Sequence, residues 1–276
     1  MGCITACQVS TTISSWPRDT DLGLGIGIDF LLCGALAVTL TGISKSGFAG
    51  GVGVIAVPVL SLFVSPPAAA AVMLPILCVI DVSNLIKYRK FFVKHLVYLL
   101  IPGALVGILA GTVSFSSIDP ASLKIAVGIL AIWFGYRTVF TRTIDNEPKR
   151  SAGPVAAFLC GALSGFTSFI AHAGGPTIKG FLLSQRLEKT QFVATNSIFF
   201  LVINQIKLIP YFFLGQFSPE NLGLSLTFLP FALIGIVIGY RLHHQVSQVL
   251  FTRLICVFLV LSGVKLIWDG VGFYLF

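Results

Sequence analysis

Gly42-Ile-Ser-Lys-Ser-Gly-Phe-Ala-Gly-Gly-Val-Gly53 lies inside apolar sequence and runs on into Ile55-Ala-Val-Pro58-Val-Leu60. A second stretch of the same kind, Gly165-Phe-Thr-Ser-Phe-Ile-Ala-His-Ala-Gly-Gly-Pro176-Thr-Ile-Lys179, lies in the other half of the chain. Neither reads as ordinary membrane helix, because glycine and proline interrupt both. Irregular backbone at membrane depth survives only where protein buries it or where it lines a wet cavity. A matched pair of such breaks, one per half, points to a transporter's substrate site.

Composition sets the solvent. The 276 residues are 56% hydrophobic and 10% charged, with mean hydropathy +0.96, against roughly 25% charged in soluble domains. The chain therefore reads as an all-α polytopic membrane protein. The formal charge of +8 suits basic cytoplasmic loops. Nucleic acid is not implied, since no basic run is interleaved with aromatics. Cys33, Cys78, Cys160 and Cys256 lie in apolar runs, where packing is the expected role. Residues 1–25 form a polar N-terminal tail.

Apolar segments run roughly over 26–44, 52–64, 68–87, 95–113, 122–140, 152–172, 176–184, 190–214, 222–240 and 254–272. About 20 residues cross a bilayer, so 52–64 and 176–184 read as returning arms of re-entrant hairpins. Hydropathy alone suggests eight or nine spans.

The halves resemble each other. Ala49-Gly50-Gly51 matches Ala173-Gly174-Gly175, Asn84-Leu-Ile-Lys87 matches Asn204-Gln-Ile-Lys207, and Pro102 to Gly107 with Gly111 matches Pro230 to Gly235 with Gly239. This predicts two inverted repeats, 26–140 and 152–276, each a re-entrant helical hairpin plus three transmembrane helices. A cytoplasmic linker, 141–151, joins them. Inversion follows from charge: Lys87, Arg89, Lys90 and Lys94 follow segment 68–87, whereas no basic residue follows its partner 190–214 before Glu220. The reverse holds for 95–113 and 222–240, where Arg241 and Arg253 follow the second.

Helix N-termini at hairpin tips bind anions through free N–H groups and the dipole. Gly50, Gly51, Gly174 and Gly175 allow close approach. Ser44, Lys45, Ser46, Thr167, Ser168 and His172 add side-chain donors. Helix packing is the alternative role for the small residues, and snorkelling is the alternative for Lys45. Asp81 lies mid-helix, where a carboxylate needs a partner, a proton or water. It either couples a proton or pairs with Lys45 or Lys87. Asn84 and Asn204 are candidates to hold the broken backbone, with Lys207 in a supporting place. Lys207 and Lys265 lie nearer the outer ends of their helices, where snorkelling is expected. No Walker loop, HExxH or clustered Cys/His spacing is present, so no ATPase, metal site, cofactor or enzyme chemistry is expected.

Gly42-x4-Gly47-Phe-Ala-Gly-Gly51-x6-Pro58 resembles the first motif of the TauE/SafE family of sulfite exporters. Gly165 to Pro176 resembles its second, and Phe199-Phe200, Asn204, Lys207 and Pro210 to Gln216 extend the likeness. Thr177 departs from the pattern, standing where many members have a second proline. The resemblance spans about residues 28–272. It implies a multi-pass carrier of the bacterial-type plasma (inner) membrane that moves sulfite, sulfoacetate or a related organosulfonate outward on an ion gradient. Expected partners are a small anionic substrate, the lipid bilayer and a coupling proton or sodium ion. The apolar surface is compatible with a homodimer. The alternatives are a carrier or channel for another small anion, such as a carboxylate, and a non-transporting scaffold.

Overall fold

The computed structural model describes residues 27–47, 54–140, 153–242 and 248–275, and no strand occurs among them. The N-terminal tail, the 141–151 linker and the first hairpin tip with Gly50 and Gly51 lie outside the described residues. Among the described residues ten helices follow in order. The first half holds α1 (Ile28–Gly47), α2 (Ala56–Leu60), α3 (Pro66–Tyr88), α4 (Lys94–Ser117) and α5 (Pro120–Phe140). The second holds α6 (Pro154–Ala171), α7 (Gly175–Ser184), α8 (Lys189–Phe213), α9 (Pro219–Leu242) and α10 (Gln248–Leu275). One helix falls in each apolar segment of the sequence.

Among the described residues α1, α3, α4, α6, α8 and α9 are long and apolar enough to cross a membrane, and α5 carries a shorter apolar stretch, Pro120–Tyr136. Six such helices is fewer than the eight or nine that hydropathy suggests: α5 counts only as a shorter apolar helix and α10 is not among the six, while length alone keeps α2 and α7 from spanning. α2 and α7 have 5 and 10 residues, about 8 and 15 Å at the α-helical rise, against a hydrocarbon core of about 30 Å. α1 and α6, with 20 and 18 residues, reach about 30 and 27 Å. Each broken segment thus joins one helix of spanning length to one short arm.

Local sequence sets the helix ends. Ser65 caps α3, accepting from the Ala68 N–H, and Pro66 and Pro67 open that helix, a position where the missing N–H costs nothing. Pro154 opens α6 and Pro176 opens α7 in the same way. α6 ends at His172, which is left-handed at φ 51° and ψ 30°. Its N–H donates to the Ser168 carbonyl, and the Ala173 N–H donates to that of Thr167. Glycine usually takes this place, so a histidine here carries local strain of about 1–2 kcal/mol.

α4 packs along α6, α5 along α10, α1 along α9, and α3 and α8 meet at the centre. Without a hydrophobic force between helices in lipid, small residues that admit close backbones hold such pairs. A Cβ on Gly42 of α1 would lie 2.8 Å from the Ala232 carbonyl oxygen, and one on Gly165 of α6 would lie 2.3 Å from that of Ala104. Gly107 faces Ala162, Gly235 faces Thr39, and Gly128 and Gly263 face each other. The outer surface is apolar, with Ile86, Tyr98, Leu109, Phe213 and Trp268 exposed. The centre holds Lys45, Asp81, Asn84, Asn204 and Lys207, all buried. This inside-out distribution fits lipid as the surrounding solvent.

Candidate functional site

The polar residues at the centre sit on five elements: the last turn of α1, the middle of α3, the end of α6, the start of α7 and the middle of α8. Lys45 Nζ pairs with Asp81 Oδ1 at 2.5 Å. Asn204 Nδ2 donates to Asp81 Oδ2 at 2.6 Å. Asp81 is fully buried, and a charge there persists only when paired and hydrogen-bonded. Asn84 donates to the Lys45 carbonyl at 3.3 Å and accepts from the Tyr240 hydroxyl at 2.9 Å. It fixes the end of α1 to α3 and α9.

Lys207 does not reach the membrane surface. It is fully buried, because its face of α8 turns to α6 and α3 and away from lipid. Its ammonium contacts the Ser168 carbonyl at 2.9 Å, Ser168 Oγ at 3.0 Å and His172 Nδ1 at 2.8 Å. His172 Nε2 lies 2.9 Å from the Ala70 carbonyl oxygen. A carbonyl only accepts, so Nε2 carries the hydrogen and Nδ1 is the acceptor for Lys207. Both ring nitrogens are therefore occupied with the ring neutral. Lys265, by contrast, is exposed and pairs with Asp269 one turn on.

Lys45, Leu77, Ser168, His172, Gly175, Phe200 and Asn204 line one cavity of about 20 Å³, roughly the room a single water needs. Gly175 starts α7, so the positive end of that helix dipole faces the cavity. Among the described residues, Lys207 has no carboxylate within ion-pair distance. The layer therefore holds two buried lysines and one buried aspartate.

The other residues singled out from sequence fall around this cavity without lining it. Ser44 and Ser46 are buried in the last turn of α1. Thr167 is buried and bonds the Leu163 and Ala173 carbonyls, holding the α6–α7 turn. Ser164 bonds the Gly174 carbonyl at 3.1 Å, and a Cβ on Gly174 would lie 2.5 Å from the Ser164 hydroxyl. Gly174 is thus needed for close approach inside the hairpin. The sequence gives no signal for Leu77 as a lining residue, since it looks like any apolar helix position. Phe200 and Tyr211 fall in the stretches that extend the family likeness, without a role being read for either; the Tyr211 hydroxyl donates to the Phe169 carbonyl at 2.7 Å.

The sequence matches the family described as Sulfite exporter TauE/SafE over residues 34–266. The "Probable inner membrane transporter protein TsaS" of Comamonas testosteroni is 25% identical over 168 residues, covering 60% of this chain and 69% of that relative. No solved structure matches. The family match runs through both broken segments and every residue that lines the cavity: the chain belongs to the TauE/SafE sulfite exporter family, multi-pass membrane transporters rather than enzymes.

Proposed function

We propose that this protein is a secondary transporter that exports a small sulfur-containing oxyanion, sulfite, sulfoacetate or a related organosulfonate, across the plasma membrane on an ion gradient. One observation carries the reading. Lys207 is a buried lysine with no carboxylate within ion-pair distance among the described residues, and it stands behind Ser168 and His172 at a cavity that also meets Lys45 and the N-terminus of α7. Donors of this kind converging on one cavity suit an anion, whose charge favours the ammonium form of a nearby lysine. The description of the family supports a sulfur oxyanion as that anion.

The repeated contacts support a carrier built of two inverted repeats. Asp81 and Asn204 are 123 residues apart and bond each other. The same shift relates Asn84, which donates to the Lys45 carbonyl, to Lys207, which donates to the Ser168 carbonyl. It relates Tyr88, which donates to the Ser46 carbonyl, to Tyr211, which donates to that of Phe169. It also relates Gly42 to Gly165, each set against a backbone carbonyl of its partner helix. Two repeats with a shared central site are a common plan for alternating access.

Proteoliposomes holding the purified protein test the function. Sulfite efflux that saturates and is inhibited by sulfoacetate more than by acetate is expected. Flux that rises linearly with sulfite without saturating would favour a channel, and no flux of any anion from inserted protein would defeat the transporter reading.

A further inference from the structure

The cavity is too small for an oxyanion as it stands, and what must move is visible. Lys45 lines the cavity on one side and holds Asp81 on the other. An anion entering between Lys45 and Ser168 therefore competes with Asp81 for the same ammonium. Asp81 Oδ1 has no hydrogen-bond partner beyond that ion pair. If Lys45 turns to the anion, Oδ1 is left as a bare carboxylate oxygen in a buried layer, where an uncompensated charge is strongly unfavourable. A proton removes that charge.

Asn204 is prepared for either state. Its Nδ2 donates to Asp81 Oδ2, which suits a carboxylate. Its Oδ1 is buried and accepts from nothing, an unusual state for a buried amide oxygen. Rotation of the amide by half a turn brings that acceptor to Asp81, where it suits a carboxylic acid O–H. The same side chain thus serves the charged and the protonated carboxyl without any new residue entering the layer.

Resting on the anion-carrier reading above, we infer that Lys45 changes partner from Asp81 to the carried anion. Asp81 then takes one proton and keeps it, its O–H donating a hydrogen bond to the Asn204 amide oxygen. With Asp81 protonated, the Lys45 ammonium has no carboxylate partner left in the layer, and the carried oxyanion takes that place. The proton comes from the water on the side to which the site is open, adds to a carboxylate lone pair, and leaves to the other side when Lys45 returns to Asp81. The ionisable groups that face Asp81 are few. Lys45 comes from α1, Lys207 from α8 and Cys78 from α3 itself. The Tyr240 hydroxyl is engaged with Asn84. α2 carries none. His172 is engaged with Lys207.

The experiment measures sulfite flux and lumenal pH together in proteoliposomes of the full chain. In the wild-type protein, one proton per sulfite dianion is expected, so with the membrane potential clamped at zero a one-unit pH gradient should drive about tenfold accumulation. A proton carried on the anion itself gives the same ratio, and Asp81→Asn separates the two. In that variant the ratio of gradient-driven to undriven flux should fall to about one, whatever its absolute rate. Retained pH drive in Asp81→Asn, or wild-type sulfite flux without proton movement, overturns the inference and leaves the carrier reading standing. No wild-type flux of any anion overturns both. Should Asp81→Asn fail to fold, infrared difference spectra of the wild-type protein decide. Adding sulfite should raise a carboxylic-acid carbonyl band and deplete a carboxylate band, and their absence overturns the inference.

Discussion

Lys207 Nζ and His172 Nδ1 share a hydrogen bond of 2.8 Å, which ties the middle of α8 to the strained last residue of α6. The bond fixes the histidine tautomer, offsets a left-handed backbone and sets the Lys207 amine behind the cavity wall. Replacing Lys207 with Met keeps the length and removes the amine. Sulfite flux should fall by at least about tenfold, the effect of losing roughly 1.4 kcal/mol of anion binding. Stability should fall by about 1–3 kcal/mol, because His172 Nδ1 and the Ser168 carbonyl lose a donor while buried. Flux assays and thermal unfolding in detergent read the two effects separately.

His172→Ala should act through position rather than charge. The ring donates to the Ala70 carbonyl and accepts from Lys207, so its loss frees Lys207 on one side. The half-saturating sulfite concentration should rise, and His172→Asn, which still offers both a donor and an acceptor, should recover part of the loss. Flux titrations of the two variants against wild type check this.

Close helix contacts predict a sharp ranking among glycines. Gly165→Ala places a methyl 2.3 Å from the Ala104 carbonyl oxygen, with rigid backbone as the obstacle. It should cost about 1–3 kcal/mol, the usual range for overpacking. Gly272→Ala in α10 meets nothing within 4 Å and should be neutral or stabilise by about 0.5–1 kcal/mol, as helix propensity dictates. Unfolding midpoints of both variants give the ranking.

Asp119 stands before α5 and accepts from the Ala121 and Ser122 N–H groups and the Tyr274 hydroxyl. These donors pull its pKa from 3.8 to about 2. A depressed carboxylate contributes stability above its unfolded pKa and loses it as the acid form fills. The stabilising effect should be fully present above pH 5 and fade from about pH 4 towards pH 2. Thermal midpoints of wild type and Asp119→Ala should therefore differ at neutral pH and converge in that acid window.

Much of the architecture is legible in the sequence, and the limits of that legibility are physical. Hydropathy finds all ten helical segments, because an apolar run is needed whether a helix spans or only returns. The first tip, with Gly50 and Gly51, lies outside the described residues. The face of a helix is harder to read. The sequence reading sets Lys207 towards the outer end of its helix, where snorkelling is expected, yet it is buried because α8 presents that side to α6. Matching residue types pairs Asn84 with Asn204, whereas the hydrogen bonds pair Asn84 with Lys207 and Asp81 with Asn204. The two alignments differ by three residues, nearly one helical turn. A shift of that size keeps the same face, so residue type alone does not reveal it. Leu77 carries no signal and Phe200 enters only through the family likeness, since lining a small cavity asks nothing distinctive of an apolar side chain.

At the matched positions the halves carry unlike groups: Lys45 against Ser168, Asp81 against Asn204, Asn84 against Lys207. The glycines that set the helices together are alike, as Gly42 and Gly165 are. The frame is therefore even-handed while the electrical furniture is one-sided. An ion that enters this layer meets one lysine already engaged by a carboxylate and another held only by neutral groups. Twofold ancestry has thus left a scaffold that repeats and a centre that does not.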